Sequence, residues 1–194
     1  MKLPEELQPY HEPLESLQNL IARFDQRGVV IGGIAVSVLG KARYTADLDA
    51  VFLLSTQDIP RFLKEAKQEG MEPRIENAAE FGKKNRVLLL RHVSTDTEID
   101  ISLGIMPFEQ EIVERSKVQE FDDTLRVRLP TPEDLIIMKA IAHRPKDMED
   151  IRTLVDKYPN LDLARIKRWV KDYAKTMEAP ELWNDIRTIL KPPK

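Results

Sequence analysis

The sequence contains no cysteine. Disulfides, thiolate nucleophiles and zinc–thiolate centres are therefore excluded. Histidine is scarce: His11, His92 and His143 are scattered and show no metal-ligand spacing. No apolar run approaches the roughly 18 residues of a membrane span. The first residues, from Met1 to Pro13, are acidic and broken by proline, unlike the basic and then apolar pattern of a secretory signal. A cytoplasmic protein without a membrane partner is expected. A charge excess of one sign is also missing, since 30 Lys and Arg stand against 33 Asp and Glu for a net charge of -3. The broad basic footprint of a non-specific nucleic-acid binder is thus absent, although a balanced total leaves room for a local basic groove.

What is present is the make-up of an ordinary globular chain. The 194 residues are 42% hydrophobic and 32% charged, enough for one substantial domain or a domain with a small appendage. After Pro13, Leu14, Leu17, Leu20, Ile21 and Phe24 recur at helical spacing, and Gly28 is read as the end of that helix. Val29 to Ile31 reads as a short strand stopped by Gly32-Gly33, and Ile34 to Leu39 as an apolar helix closed by Gly40. Leu48 to Leu54 is the next strand, and Pro60 to Glu69 an amphipathic helix ended by Gly70. Arg86 to Val93 and Glu98 to Leu103 read as a hairpin turned by Ser94 to Thr97. A short helix over Pro107 to Arg115 follows, then a strand pair, Lys117 to Phe121 and Leu125 to Leu129, turned by Asp122-Asp123.

From residue 131 the period becomes purely helical. Thr131 is a good N-cap, with Pro132 at the first helical position and Asp134 three residues on. Helices are predicted near 132–143, 146–157, 162–176 and 180–190, punctuated by Pro145, Pro159 and Pro180, and the Lys-Pro-Pro-Lys end reads as frayed. The predicted class is α/β: a sheet domain over residues 1–130 followed by a helical region over 131–194 that packs on it.

The chemistry-bearing residues are carboxylates. Asp47 and Asp49 are separated by Leu48 at the start of a strand. Side chains alternate along a strand, so both acids face one way and Leu48 faces the core. Two carboxylates on one face repel, and a magnesium ion, which prefers oxygen ligands, would relieve them. A polar strand end with two solvated acids is the plainer alternative. Gly32-Gly33, between a strand and a helix, lets backbone N–H groups approach a phosphate, with a helix N-terminus favouring negative charge. Arg43 and Thr45 lie just before the acids. Asp100, between Ile99 and Ile101, leaves the core together with Glu98 and Ser102.

The combination Gly32-Gly33-Ile34-Ala35-Val36, then Gly40, Arg43, Thr45, Asp47 and Asp49, then Asp100 on a later strand, resembles the nucleotidyltransferase superfamily. Within it the chain is most similar to the minimal AbiEii-type branch of toxin–antitoxin systems, over about residues 14–158. The resemblance implies a nucleotidyltransferase fold, a mixed central sheet flanked by helices. It implies that Asp47, Asp49 and Asp100 hold two Mg2+ ions, with Asp100 also helping to activate the acceptor hydroxyl, and that Gly32 and Gly33 hold a nucleoside triphosphate. A nucleotide would pass to a hydroxyl acceptor, whether an RNA end, a protein or a small molecule, and a cognate antitoxin-like protein is the implied partner. Many superfamily members have Gly-Ser where this chain has Gly32-Gly33; the toxin-like branch often has Gly-Gly.

A second stretch, Pro132 to Lys139 followed by Arg144-Pro145-Lys146-Asp147 and Asp150, resembles the same branch. It implies that Lys139 contacts the triphosphate as a flexible point charge; an ordinary surface lysine is the alternative. Asp147 and Asp150 read as an internal salt-bridge cluster with Arg144 or Lys146, and Glu98 as a solvated strand residue, with a fourth acid in the pocket as the alternative. Trp169, Tyr173 and Trp183 read as core packing between helices, with stacking on a base as the alternative. Two functional expectations stand side by side: an active, metal-dependent nucleotidyltransferase, or a catalytically silent nucleotide- or partner-binding module that keeps the fold.

Overall fold

In a computed structural model, residues 2–121 and 125–190 are described. The predicted Asp122-Asp123 turn and the terminal Lys-Pro-Pro-Lys lie outside them. A 3-10 turn over Glu5–Tyr10 leads into α1 (His11–Arg23), whose buried Leu14, Leu17, Leu20 and Ile21 form one stripe. The helix ends earlier than its glycine suggests. Asp25 and Gln26 take left-handed φ values of 55° and 59°, so they make the reversal and Gly28 begins β1 (Gly28–Ile31).

α2 (Gly32–Leu39) follows β1 without a loop, and β2 (Asp47–Phe52) returns antiparallel to β1. α3 (Ile59–Gln68), β3 (Met71–Pro73) and α4 (Ala78–Asn85) lead to the hairpin of β4 (Val87–His92) and β5 (Thr97–Leu103). The five strands are ordered β1-β2-β5-β4-β3, and only β2 and β5 run parallel. The expected mixed sheet with flanking helices is therefore present. α5 (Pro107–Arg115) precedes a separate hairpin of β6 (Lys117–Phe121) and β7 (Leu125–Leu129), whose second strand packs on α1 and β1.

β3 and α4 escape the sequence pattern. Three residues ending in proline carry no usable alternation. α4 contains Gly82, buries only Ala78 and Gly82, and closes on Arg86 at φ 55° where a glycine is the usual signal.

The core follows the alternation. Leu48, Ala50 and Phe52 of β2 and Ile99, Ile101 and Leu103 of β5 are buried, each such side chain stabilising the fold by about 1.5–3 kcal/mol when large and apolar. Phe24, Phe52 and Phe62 form an aromatic cluster, with Phe52 and Phe62 edge to face at 4.9 Å.

The helical tail comprises α6 (Pro132–Ala142), α7 (Pro145–Lys157), α8 (Leu163–Thr176) and α9 (Glu181–Ile189). Thr131 caps α6 by accepting from the Asp134 N–H at 3.2 Å. α6 is central, packing on α2, α7, α8 and α9. Trp169 and Tyr173 pack on Phe108 of α5, with ring centres 5.0 and 5.9 Å away, and Trp183 packs on the same core.

Candidate active site

The strand register assembles the acids. Asp49 stands between Ile31 of β1 and Asp100 of β5, while Asp47 pairs with Glu98. Leu48 between the acids is fully buried and both acids are half-buried. Asp47, Asp49, Asp100 and Glu98 thus share one face at the start of two parallel strands.

The glycine pair fits against this face with no room to spare. Gly32 has φ +66°, and a Cβ built on it would lie 1.9 Å from Asp49 Oδ2. A Cβ on Gly33 would lie 2.3 Å from Thr45 Oγ1. Serine at position 33 is therefore incompatible with Thr45 where it stands, which gives a local reason for Gly-Gly in this chain. No side chain caps the N-terminus of α2, so its free N–H groups and positive dipole end begin beside Asp49.

The segment between α2 and β2 is pinned. The Ser37 hydroxyl donates to the Arg43 carbonyl at 2.8 Å, and Tyr10 donates to the Thr45 carbonyl at 2.5 Å. Thr45 Oγ1 donates to Asp47 Oδ1 at 3.2 Å, holding that carboxylate's orientation. Arg43 turns away from the acids, and its Nε and Nη2 grip the two oxygens of Asp150 at 3.0 Å each.

Asp150 belongs to a chain of alternating charge. Lys139, with 5% of its side chain exposed, places Nζ 2.9 Å from both Asp150 Oδ2 and Asp147 Oδ1. Arg144 Nε donates to Asp147 Oδ2 at 2.7 Å, and the Arg144 backbone N–H adds 3.1 Å. Burial works to raise the Asp147 carboxyl, but the hydrogen bonds from Arg144 and Lys139 win and hold it below the usual range. Three cations (Arg43, Lys139, Arg144) meet two carboxylates (Asp147, Asp150), leaving one positive charge in excess. That charge is felt by the acids: Lys139 and Arg144 both act to lower Asp49.

They do not win there. Burial first, then Asp47 and Asp100, push Asp49 from 3.8 up to about 6. Burial also raises Asp100, with Asp47 and Glu98 adding to it and Arg74 opposing. Arg74 binds both Glu98 and Asp100. Among the described residues, no group of three or more His, Cys, Asp or Glu side chains is gathered closely enough to hold a metal ion. The donor chemistry nevertheless fits a hard divalent cation: the oxygens belong to carboxylates, and Asp49 carries a charge penalty that its neighbours do not cancel.

The fold brings Asp47, Asp49, Asp100, Gly32, Gly33 and Thr45 together. Arg43 and Lys139 border the site with their charged groups on Asp147 and Asp150. Sequence reasoning did not single out Arg74 or Tyr10 and saw Arg144 only as a salt-bridge neighbour. No local pattern signals the first two, because each reaches the site from a distant segment. A cavity of about 700 Å3 lies apart from the acids, bounded by Lys117, Leu129, Thr131, Tyr158 and Leu161 among others.

A family profile described as "Nucleotidyltransferase of unknown function (DUF6036)" matches residues 10–189. No curated protein matches the sequence. The fold is similar to that of an antigenic nucleotidyltransferase-like protein from Paracoccidioides brasiliensis, with 14% identity, a TM-score of 0.57, and 97% of this chain and 94% of that chain covered. It is also similar to ANT(2'')-Ia in complex with adenylyl-2''-tobramycin, with 15% identity, a TM-score of 0.53, and 85% and 98% covered. At these identities the likeness concerns the fold alone.

Proposed function

We propose, from the premise that this chain belongs to the DUF6036 nucleotidyltransferase family, that it transfers a nucleoside monophosphate from a nucleoside triphosphate to a hydroxyl acceptor with divalent-metal assistance. The observation that carries this reading is the pairing of Asp49 with Asp100 directly beside the Gly32-Gly33 turn. It sets acids for a cation next to backbone N–H groups for a phosphate.

Asp47 and Asp49 would hold both Mg2+ ions, and Asp100 the one nearer the acceptor. When bound, the metals lower the pKa of the attacking hydroxyl and neutralise the leaving pyrophosphate. The chain's own groups bind and orient. Gly32 and Gly33 offer N–H donors to the triphosphate, Thr45 keeps Asp47 aimed, and Lys139 with its neighbours supplies positive field. Asp100 helps remove the acceptor's proton. The acceptor oxygen bonds to the α-phosphorus as the bond to the bridging oxygen breaks, and pyrophosphate departs.

The division at residue 131 gains a functional sense here, because Lys139 and Arg144 come from the helical region and the acids from the sheet. The chain is read as cytoplasmic. Among the described residues no helix is long and apolar enough to cross a membrane. Resemblance to the AbiEii-type branch makes an antitoxin-like protein the partner to seek. Of the three acceptor classes, RNA ends, protein hydroxyls and small molecules, the last is supported by the adenylyl-2''-tobramycin in the ANT(2'')-Ia complex.

A second reading has one specific support. Arg74 neutralises Asp100, as would suit a silent binding module. A nucleoside triphosphate radiolabelled at the α-phosphate separates the two. Mg2+-dependent label on an acceptor from any of the three classes, lost in Asp49→Asn, supports transfer. Label absent from all three classes, with triphosphate binding intact, supports the silent module.

A further inference from the structure

Arg74 is a cation on the acidic face whose side chain, among the described residues, bonds only to the acids Glu98 and Asp100. It follows β3 by one residue, and its backbone N–H donates to the Leu89 carbonyl at 2.9 Å, extending the β3–β4 ladder. Leu89 pairs with Asp100, and Asp100 with Asp49. Arg74, Leu89, Asp100 and Asp49 therefore form one row across the sheet.

The guanidinium spends two nitrogens on carboxylates, Nη1 on Glu98 at 2.5 Å and Nη2 on Asp100. Its Nε is buried and has no hydrogen-bond partner among the described residues. Arg128 likewise leaves a buried Nε unpaired among the described residues while its Nη1 and Nη2 reach Ser116 and Gln26, whereas other arginines use that nitrogen. Arg43 places Nε on Asp150, Arg86 on the Leu103 carbonyl and Arg165 on Asp134. Arg74 is thus tied only to the acids, and an unsatisfied buried N–H weakens its hold further. Glu98 is exposed and lies two residues before Asp100 on the same strand face.

We infer that Arg74 is a built-in counter-ion that competes with a divalent cation for Asp100, releasing Asp100 and remaining on Glu98 when the cation is taken up. The inference rests on the metal reading proposed above. It gives the acids a partner in the metal-free protein and makes cation binding weaker than three bare carboxylates would give. A planar fork fits two carboxylates better than a lysine ammonium does, so the competition depends on arginine in particular.

The test is a Mn2+ titration without nucleotide, with free ion read by electron paramagnetic resonance. It uses the full chain as wild type, Arg74→Gln, Arg74→Lys and Asp49→Asn. Arg74→Gln is expected to bind Mn2+ roughly tenfold more tightly, the equivalent of one lost competing contact. Arg74→Lys should fall between it and wild type, and Asp49→Asn should lose the binding. Unchanged or weaker affinity in Arg74→Gln, with binding still dependent on Asp49, overturns the inference and leaves the metal site standing. Should the glutamine chain not fold, Arg74→Lys decides the matter by the same criterion. Absence of Asp49-dependent binding in the wild type and both Arg74 variants overturns the metal reading, and this inference with it.

Discussion

Asp49 and Asp100 are register partners on two neighbouring strands, which among the described residues are the only parallel pair in the sheet. Asp100 raises the cost of ionising Asp49, and Asp49 is the more buried of the two. Asp49→Asn removes that cost along with the proposed metal ligand. In chelator at pH 7.5 the variant should melt about 2–4 °C higher, the effect of about 1 kcal/mol at this length. Label transfer should fall by about a hundredfold or more, equivalent to about 2.7 kcal/mol or more of transition-state stabilisation. Calorimetry and the transfer assay together check the pair of opposite effects; a less stable variant would show that Asp49 is a structural anchor.

Gly32→Ala addresses the turn. The new methyl would demand a left-handed backbone, costing about 1–2 kcal/mol, and would collide with the Asp49 carboxylate. Chemical denaturation should register at least that loss, and triphosphate binding by calorimetry should weaken sharply. Gly33→Ala, whose methyl would meet the Thr45 hydroxyl instead, should disturb the aim of Asp47 with less loss of stability. Equal stability loss in both variants would show that the left-handed φ is not the deciding term.

How much of this was legible in the chain depends on distance along it. Strand alternation is local, so Asp47 and Asp49 on one face with Leu48 in the core could be read directly. The Thr131 cap and the four tail helices were readable for the same reason, since capping and helical periodicity act within a few residues. The grip of Arg43 on Asp150 spans 107 residues, and no local rule foretells it. Arg74 was missed because β3 is three residues long and ends in proline, so the row it joins exists only once β4 and β5 are paired. The placing of Asp100 opposite Asp49 likewise needs the β2–β5 register, which the alternation within β5 alone does not supply.

Asp150 tests the charge chain. Its side chain is 5% exposed and holds both Arg43 and Lys139. Asp150→Ala should destabilise by about 3 kcal/mol, the low end for a broken buried pair, because Asp147 still holds Lys139. Arg43→Ala should cost less, since its side chain is one-third exposed and its loss still leaves Asp150 with Lys139. Urea titrations of the two variants check the order; the reverse order would mean that Arg43 stabilises mainly through its hold on the 41–46 segment.

The pH dependence follows from the direction of the Asp49 shift. Its folded value, about 6, lies above the unfolded value of 3.8, so the folded protein favours the protonated form. The resulting stabilisation is fully present below about pH 3.8 and is lost as pH rises through about 6. Metal-free protein should therefore carry an Asp49 penalty at pH 7.5 that is smaller at pH 5. A divalent cation bound at Asp47 and Asp49 removes the penalty only where the carboxylate is ionised. Mg2+ should raise the melting temperature clearly at pH 7.5 and much less at pH 5, and Asp49→Asn should abolish the difference between the two. Scanning calorimetry of both proteins, with and without Mg2+ at each pH, measures it. An equal Mg2+ effect at the two pH values, or one that survives in Asp49→Asn, would place the cation elsewhere on the molecule.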